Sequence, residues 1–305
     1  MTDIGRSVST AASRGPTRAS RWHIVKRWFV DWSLALPIII VATFMLFVPC
    51  VVMLRQSFAD ATGGGFTLAN WISVFSAKTM RAAMINSLML GFTVATIALL
   101  VGAPLAWIVS RMTRLNRAIH LGILNVATNF SGIGLGFAFV AALGTYGMVT
   151  LSLQALGLPV QPPAPNTFWG LVIAYEYSNV PLFVLLCLPA MSLLRDEWWE
   201  AAQACSASRL QFWSRIGWPV LRPFLLACWL LIFTWSVGMY GVPVALLGTS
   251  PTAFRLVTVE MSQSMLGSLF GSQRMPVLAV ILMLLAAFSL TLYRIIVRRG
   301  TRWLS

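Results

Sequence analysis

Two groups of residues in this chain have the types and spacing to do chemistry. The first is Glu176 in "AYEYSNVP", the one acid deep in a long apolar run, with Tyr175, Tyr177, Ser178 and Asn179 beside it. A carboxylate inside a bilayer is costly and therefore faces a cavity or a partner. It lies about eight residues into its apolar segment, or roughly 12 Å at 1.5 Å per residue. In one reading Tyr175, Glu176 and Asn179 line a wet path attractive to cations. In the other, Glu176 is a structural hydrogen-bonding group or a protonated acid. The residues leave both open.

The second group is "EWWEAAQACSASRLQFWSRIGWPVLRP", Glu197–Pro223. Ala201, Cys205, Ser208, Phe212 and Ile216 recur at helical spacing, giving a face that is small early and bulky late. Arg195, Asp196, Glu197, Glu200, Arg209 and Arg215 form the polar remainder. Pro219 and Pro223 fit the entry to the following apolar run, where a missing N–H is least harmful. Periodicity alone makes this an interfacial linker, too polar to cross a membrane.

Other chemistry finds no residues to carry it. There is no GxxxxGK[ST] phosphate loop, so the chain is not expected to hydrolyse ATP alone, and no HExxH, GxSxG or CxxC. His23 and His120 read as interfacial residues. Cys50, Cys187, Cys205 and Cys228 show neither a disulfide framework nor metal spacing. No catalytic residue, cofactor or metal site is expected.

The elements that must position these groups follow from composition. Of 305 residues 58% are hydrophobic and only 10% charged, against about 25% charged in soluble domains. Apolar runs predict six transmembrane helices, near Ser33–Leu54, Met84–Val109, Ile119–Leu143, Phe168–Leu194, Leu221–Leu247 and Pro276–Val297. Each has the roughly 20 residues a span requires. The net charge of +14 could suggest nucleic acid, but its placement argues against that. With a cytoplasmic N-terminus, seventeen of the 22 Lys and Arg fall on inside segments and five outside, the asymmetry of the positive-inside rule. Both termini are then cytoplasmic, and no nucleic-acid partner is expected.

The first apolar run exceeds the h-region of a secretory signal and lacks a clear cleavage site. Residues 1–32 read as a basic tail ending in an interfacial stretch, with Trp22, Trp28 and Trp32 suited to the headgroup region. Residues 33–83 comprise the first span and an external loop, where Phe66, Leu68, Trp71, Ile72 and Phe75 would let an amphipathic piece lie on the membrane. Residues 84–297 hold five spans, and 298–305 a cytoplasmic tail. Gly132 and Gly136, four apart, read as an internal packing seam. Gly238, Gly241 and Pro243 should loosen the outer end of the fifth span.

"EAAQACSASRLQFWSRIGWPVLRP" resembles the EAA loop of ABC-importer permeases, roughly E-A-A-x-x-x-G-A-x-x-x-x-x-F-x-x-I-x-x-P-x-x-x-P. Glu200, Ala201, Ala202, Ala207, Phe212, Ile216, Pro219 and Pro223 stand at matching positions, while Ser206 replaces the family's glycine. "FTLANW" and "NSLMLGFTVATIALLVGAPLAWIVSR" look like the external segment and core start of these permeases. The resemblance implies an all-α type I importer permease in a bacterial inner membrane, with a coupling loop at 195–220. It further implies two ATPase subunits docking on that loop, a second permease (identical or similar) and an external solute-binding protein. Membrane lipid surrounds it. Glu200 and its neighbours would face the ATPase while Phe212 and Ile216 anchor the loop. Serine at 206 strains a turn that glycine makes freely, unless it caps the second short helix. The pattern looks most like the spermidine/putrescine branch, whose relatives also serve iron(III), thiamine and aminoethylphosphonate. A standalone channel or ion-coupled carrier is the alternative from another class, and the loop argues against it.

Overall fold

The computed structural model describes residues 18–60, 65–157, 162–248, 254–267 and 274–301; for 18–34, 265–267 and 301 it describes the backbone alone. Most of the expected basic tail (residues 1–17), Gly63, Gly64, Pro159 and the last four residues lie outside these. The chain divides into two units, residues 1–52 and 53–305. The first unit is helical from Arg18, within α1 (Arg18–Ser57), so the interfacial stretch is the start of the first span's helix. Pro37 and Pro49 lie inside α1.

The second unit is built from helices, and among the described residues its only strand-like feature is one bridge, Ala59 to Phe66. That bridge closes a turn pinned by Asn70, whose amide donates to the Ala59 carbonyl at 2.8 Å. Next come α2 (Ala69–Ser76) and α3 (Lys78–Ser110). The inner side of α2 buries Val74 against Met80, Val277 and Leu278, while Phe66, Leu68, Ile72 and Phe75 stay exposed. After α4 (Arg114–Asn129), α5 (Ile133–Leu143) and α6 (Met148–Ala155) comes α7 (Phe168–Met191), the most buried helix. Its N-terminus is capped by Thr167, whose hydroxyl accepts from the Gly170 N–H at 3.2 Å. Then follow α8 (Asp196–Ala204), α9 (Arg209–Phe212), a π-turn at Trp213–Gly217, α10 (Trp218–Gly238), α11 (Gly241–Leu247), α12 (Val257–Gly267) and α13 (Arg274–Thr301).

Among the described residues, six stretches are long and apolar enough to cross a membrane. Two differ from the expected spans. The third is not one helix over Ile119–Leu143: α4 stops at Asn129, and the apolar stretch is Ile133–Ala155, made of α5 and α6. The break lies at Ser131–Gly132, where Gly132 takes φ +80°, a dihedral glycine reaches without strain. Near it Asn125 and Asn129 bond back to carbonyls four residues earlier, side chains that compete with helix continuation. The fifth span breaks at Met239–Tyr240 and resumes as α11. The two breaks meet: a Cβ on Gly241 would sit 2.7 Å from Gly132 Cα. The expected Gly132/Gly136 seam is therefore an internal one, with Gly136 against Ala245 and Val242 of α11. At the C-terminus α13 runs to Thr301, so the expected tail from residue 298 begins as helix.

The core of the second unit lies among α3, α5, α7, α10 and α11, with Leu90, Leu135, Leu171, Phe183 and Ile232 almost wholly buried. Burying side chains of this size stabilises by about 1.5–3 kcal/mol each in water; within a bilayer, packing density carries more of the weight. On the other side, the Arg255 guanidinium pairs with buried Glu260 at 2.8 Å, and Asn86 donates to the Arg255 carbonyl at 3.1 Å. These contacts tie the chain after α11 to the start of α3.

Candidate functional site

The segment at 195–220 folds as two short helices joined by a tight turn. Asp196 and Glu197 occupy the first turn of α8, where the helix dipole favours negative charge. The helix ends in a Schellman turn: the Ala207 N–H reaches the Ala202 carbonyl at 3.0 Å, and the Ser206 N–H reaches Gln203 at 2.8 Å. Ser206 supplies the left-handed residue this turn requires, at φ +57°, the only non-glycine with positive φ among the described residues. It does not cap the next helix. Ser208 does, accepting from the Gln211 N–H at 3.3 Å while Gln211 Oε1 accepts from the Ser208 N–H at 2.8 Å, a reciprocal capping box.

From Arg209 the backbone stays helical to Gly238, so the second limb of the loop is an extension of the fifth span. The π-turn interrupts it where Pro219 follows. Proline has no N–H for the Arg215 carbonyl and its ring crowds that group; a widened turn accommodates both. Phe212 is buried in the angle between the limbs, edge-on to Trp199 with ring centroids 5.3 Å apart. Ala202 is buried and small, allowing the limbs to close. Glu200, Ala201, Ser206 and Pro219 are exposed, and Ala207 and Ile216 half-buried. A groove of about 830 Å³ runs between the limbs, with Ala201, Ala207 and Ile216 on its walls.

A clasp unforeseen from sequence ties this loop to the second span. Arg111, just past the end of α3, pairs with Asp196 and donates to the Leu194 carbonyl at 3.1 Å. Its guanidinium also lies 4.3 Å from the Trp107 ring centroid, and Trp107 meets Trp213 of the π-turn edge-on at 5.0 Å. In sequence Arg111 is one of the seventeen inside charges. Trp107 and Arg111 are four apart on a helix end, a legible pair, but nothing in sequence set Asp196 opposite them.

In α7, Tyr175, Ser178 and Asn179 point into the bundle and are nearly inaccessible. Asn179 donates to the Tyr175 carbonyl at 2.9 Å and leaves its own Oδ1 without a protein partner. Glu176 lies around the helix from them and is half-buried, with both carboxylate oxygens enclosed and unpartnered. Tyr177 packs edge-on to Phe130 and Phe139. Tyr175 and Asn179 thus share one face, one turn apart, with Glu176 roughly 100° around the helix from Tyr175.

No family model matches the chain. Its relatives include the molybdenum transport system permease protein ModB of Azotobacter vinelandii, 28% identical over 180 residues, covering 59% of this chain and 78% of ModB. Another is the spermidine/putrescine transport system permease protein PotB of Haemophilus influenzae, 25% identical over 205 residues, covering 65% of this chain and 71% of PotB. The fold resembles a chain of the bacterial alginate ABC transporter, solved in complex with an alginate pentasaccharide-bound periplasmic protein. That match has a TM-score of 0.68 and 17% identity, covering 92% of this chain and 97% of the other. In sequence this chain is similar to permease subunits of ABC importers, and it shares the fold of one. It is a multi-pass protein of the inner membrane, and the relatives it matches are transport permeases.

Proposed function

We propose that the chain forms half of a solute pathway and takes its driving force through the loop at 195–220. Two ATPase subunits would dock there, one on each of two permeases, with an external solute-binding protein delivering cargo. The supporting observation is the loop itself: two limbs at a fixed angle, a groove between them, and a second limb continuous with a span. A push on such a loop moves α10 directly and, through Arg111, the end of α3. Helix-in-groove docking supplies the contact, with Glu200 and Ala201 outward and Phe212 and Ile216 holding the loop's shape. Exposed Cys205 reports on this surface. In a Cys50→Ser background, a bulky maleimide should label Cys205 in inside-out vesicles and fail once the ATPase is bound. Labelling that is indifferent to the ATPase contradicts the docking.

For the cargo we infer a cation of the polyamine kind, and Glu176 is its support. An acid with two unpartnered oxygens in an isolated chain gains from a passing cation. Relatives named for molybdenum and for spermidine/putrescine match to a similar degree, so identity does not choose between an oxyanion and a cation. Glu176→Gln decides: it should lower polyamine uptake about tenfold, the effect of losing roughly 1.4 kcal/mol of attraction. Uptake that is unchanged or raised removes Glu176 from the pathway and favours the oxyanion.

A further inference from the structure

Beside the loop lies a second crevice, of about 890 Å³, where the start of α10 meets the end of α13. Three arginines line it: Arg215 from the π-turn, Arg222 from the first turns of α10 and Arg299 from the last turn of α13. None is paired with a carboxylate among the described residues. Trp198 and Trp218 also line it. One helical turn deeper than Arg222 is Leu226, and one turn deeper than Gly300 is Ile296, both on its walls. Along α10 and α13 the lining therefore passes from cationic Arg222 and Arg299 to apolar Leu226 and Ile296 within the length of a turn.

That gradient matches one class of ligand. Arginine forks bind phosphate oxygens bidentately, tryptophan suits the headgroup level, and basic pockets between spans on the cytoplasmic side take anionic headgroups. A soluble phosphate uses the arginines but leaves Leu226 and Ile296 facing water. An acidic protein segment uses the arginines but has no need of a wall continuing into the bilayer. We propose that this crevice binds the phosphate headgroup of an anionic phospholipid of the inner leaflet, its glycerol and upper chains lying on Leu226 and Ile296. The lipid joins the loop, through Trp198 and Arg215, to the fifth and sixth spans. Arg111 joins the same loop to the second.

The test uses the full chain, extracted from membranes in neutral detergent with whatever subunits accompany it. Phosphatidylglycerol retained per mole of chain is measured for the parent, for Arg222→Gln/Arg299→Gln, and for a control, Arg114→Gln/Arg117→Gln, equal in charge change but outside the crevice. Each sample is first shown to be monodisperse, and Arg222→Lys/Arg299→Lys serves as a milder pair if the glutamine pair fails that check. The expected result is a retained lipid that the crevice variant loses, with affinity for vesicles containing phosphatidylglycerol weakened at least about tenfold. The control should stay near the parent, and phosphatidylcholine vesicles should not distinguish the proteins. Equal loss from control and crevice variants overturns the proposal in favour of diffuse surface charge. Displacement of the lipid by inorganic phosphate alone points to a soluble ligand. Unchanged lipid with loss of a co-purifying ATPase makes the crevice a protein socket. Either of these last two results also overturns it.

Discussion

Ser206 carries a backbone conformation that most residues avoid. Its φ of +57° costs an L-residue about 1–2 kcal/mol, and the two hydrogen bonds of the turn hold it there. Glycine would relieve that strain but add freedom to the unfolded chain. Ser206→Gly should therefore raise stability slightly, by about a few tenths of a kcal/mol, seen as a slightly higher thermal midpoint, and leave transport intact. Ser206→Val, β-branched in a left-handed position, should lower stability by about 1–2 kcal/mol and open the loop to protease. A valine variant as stable as the parent would show that the turn does not need this dihedral. The match of Glu200, Ala207, Phe212 and Pro219 to a spacing pattern was legible in sequence, and so was the odd residue at 206. Which serine caps was not: Ser206 and Ser208 are both near the second limb, and only the Schellman turn decides that 206 ends one helix and 208 begins the next.

The helices themselves were readable where apolar length sufficed and misread where backbone chemistry intervened. The spans at α3, α7 and α13 follow from their long apolar runs. Hydropathy sets the third span too early because α4 carries Leu115, Ile119, Ile123 and Val126 along one exposed stripe, counted as membrane without regard to the polar side between them. Its true break depends on Gly132 and on the meeting with Gly241, a contact between segments about 110 residues apart. The crossing of α5 and α11 is correspondingly intolerant. A Cβ on Gly136 would lie 2.5 Å from Ala245 Cβ and 3.1 Å from the Val242 carbonyl, so Gly136→Ala must push the helices apart. Overpacking of this kind costs about 1–3 kcal/mol, and thermal unfolding in detergent should show a midpoint several degrees lower. An unchanged midpoint would mean that the two helices do not meet as described. The clasp at Arg111 is lower in energy. Arg111 is one-third exposed and Asp196 mostly exposed, so the ion pair contributes about 0–1 kcal/mol and the ring contact about 0.5–1. Its value is in direction, fixing α8 to the end of α3, rather than in stability.

As a whole, under the proposed function, the chain supplies a pathway and a handle, the loop at 195–220. Composition and charge placement made the membrane class legible, and one loop made the importer class legible. Cargo was not, because a single acid in α7 is weak chemistry on which to base a substrate, and the relatives are named for solutes as different as molybdenum and spermidine/putrescine. The central claim is that force enters through the outward face of α8. Glu200 is exposed there, away from the buried Phe212 hinge, so reversing its charge should leave folding and insertion untouched while repelling the partner. The direct measurement is ATP-driven solute uptake by the reconstituted transporter carrying Glu200→Arg, with insertion checked in the same vesicles. The expected result is parental insertion with uptake and solute-stimulated ATP hydrolysis reduced at least about a hundredfold, the loss of roughly 2.7 kcal/mol of coupling. Parental uptake by a correctly inserted Glu200→Arg chain would contradict the account.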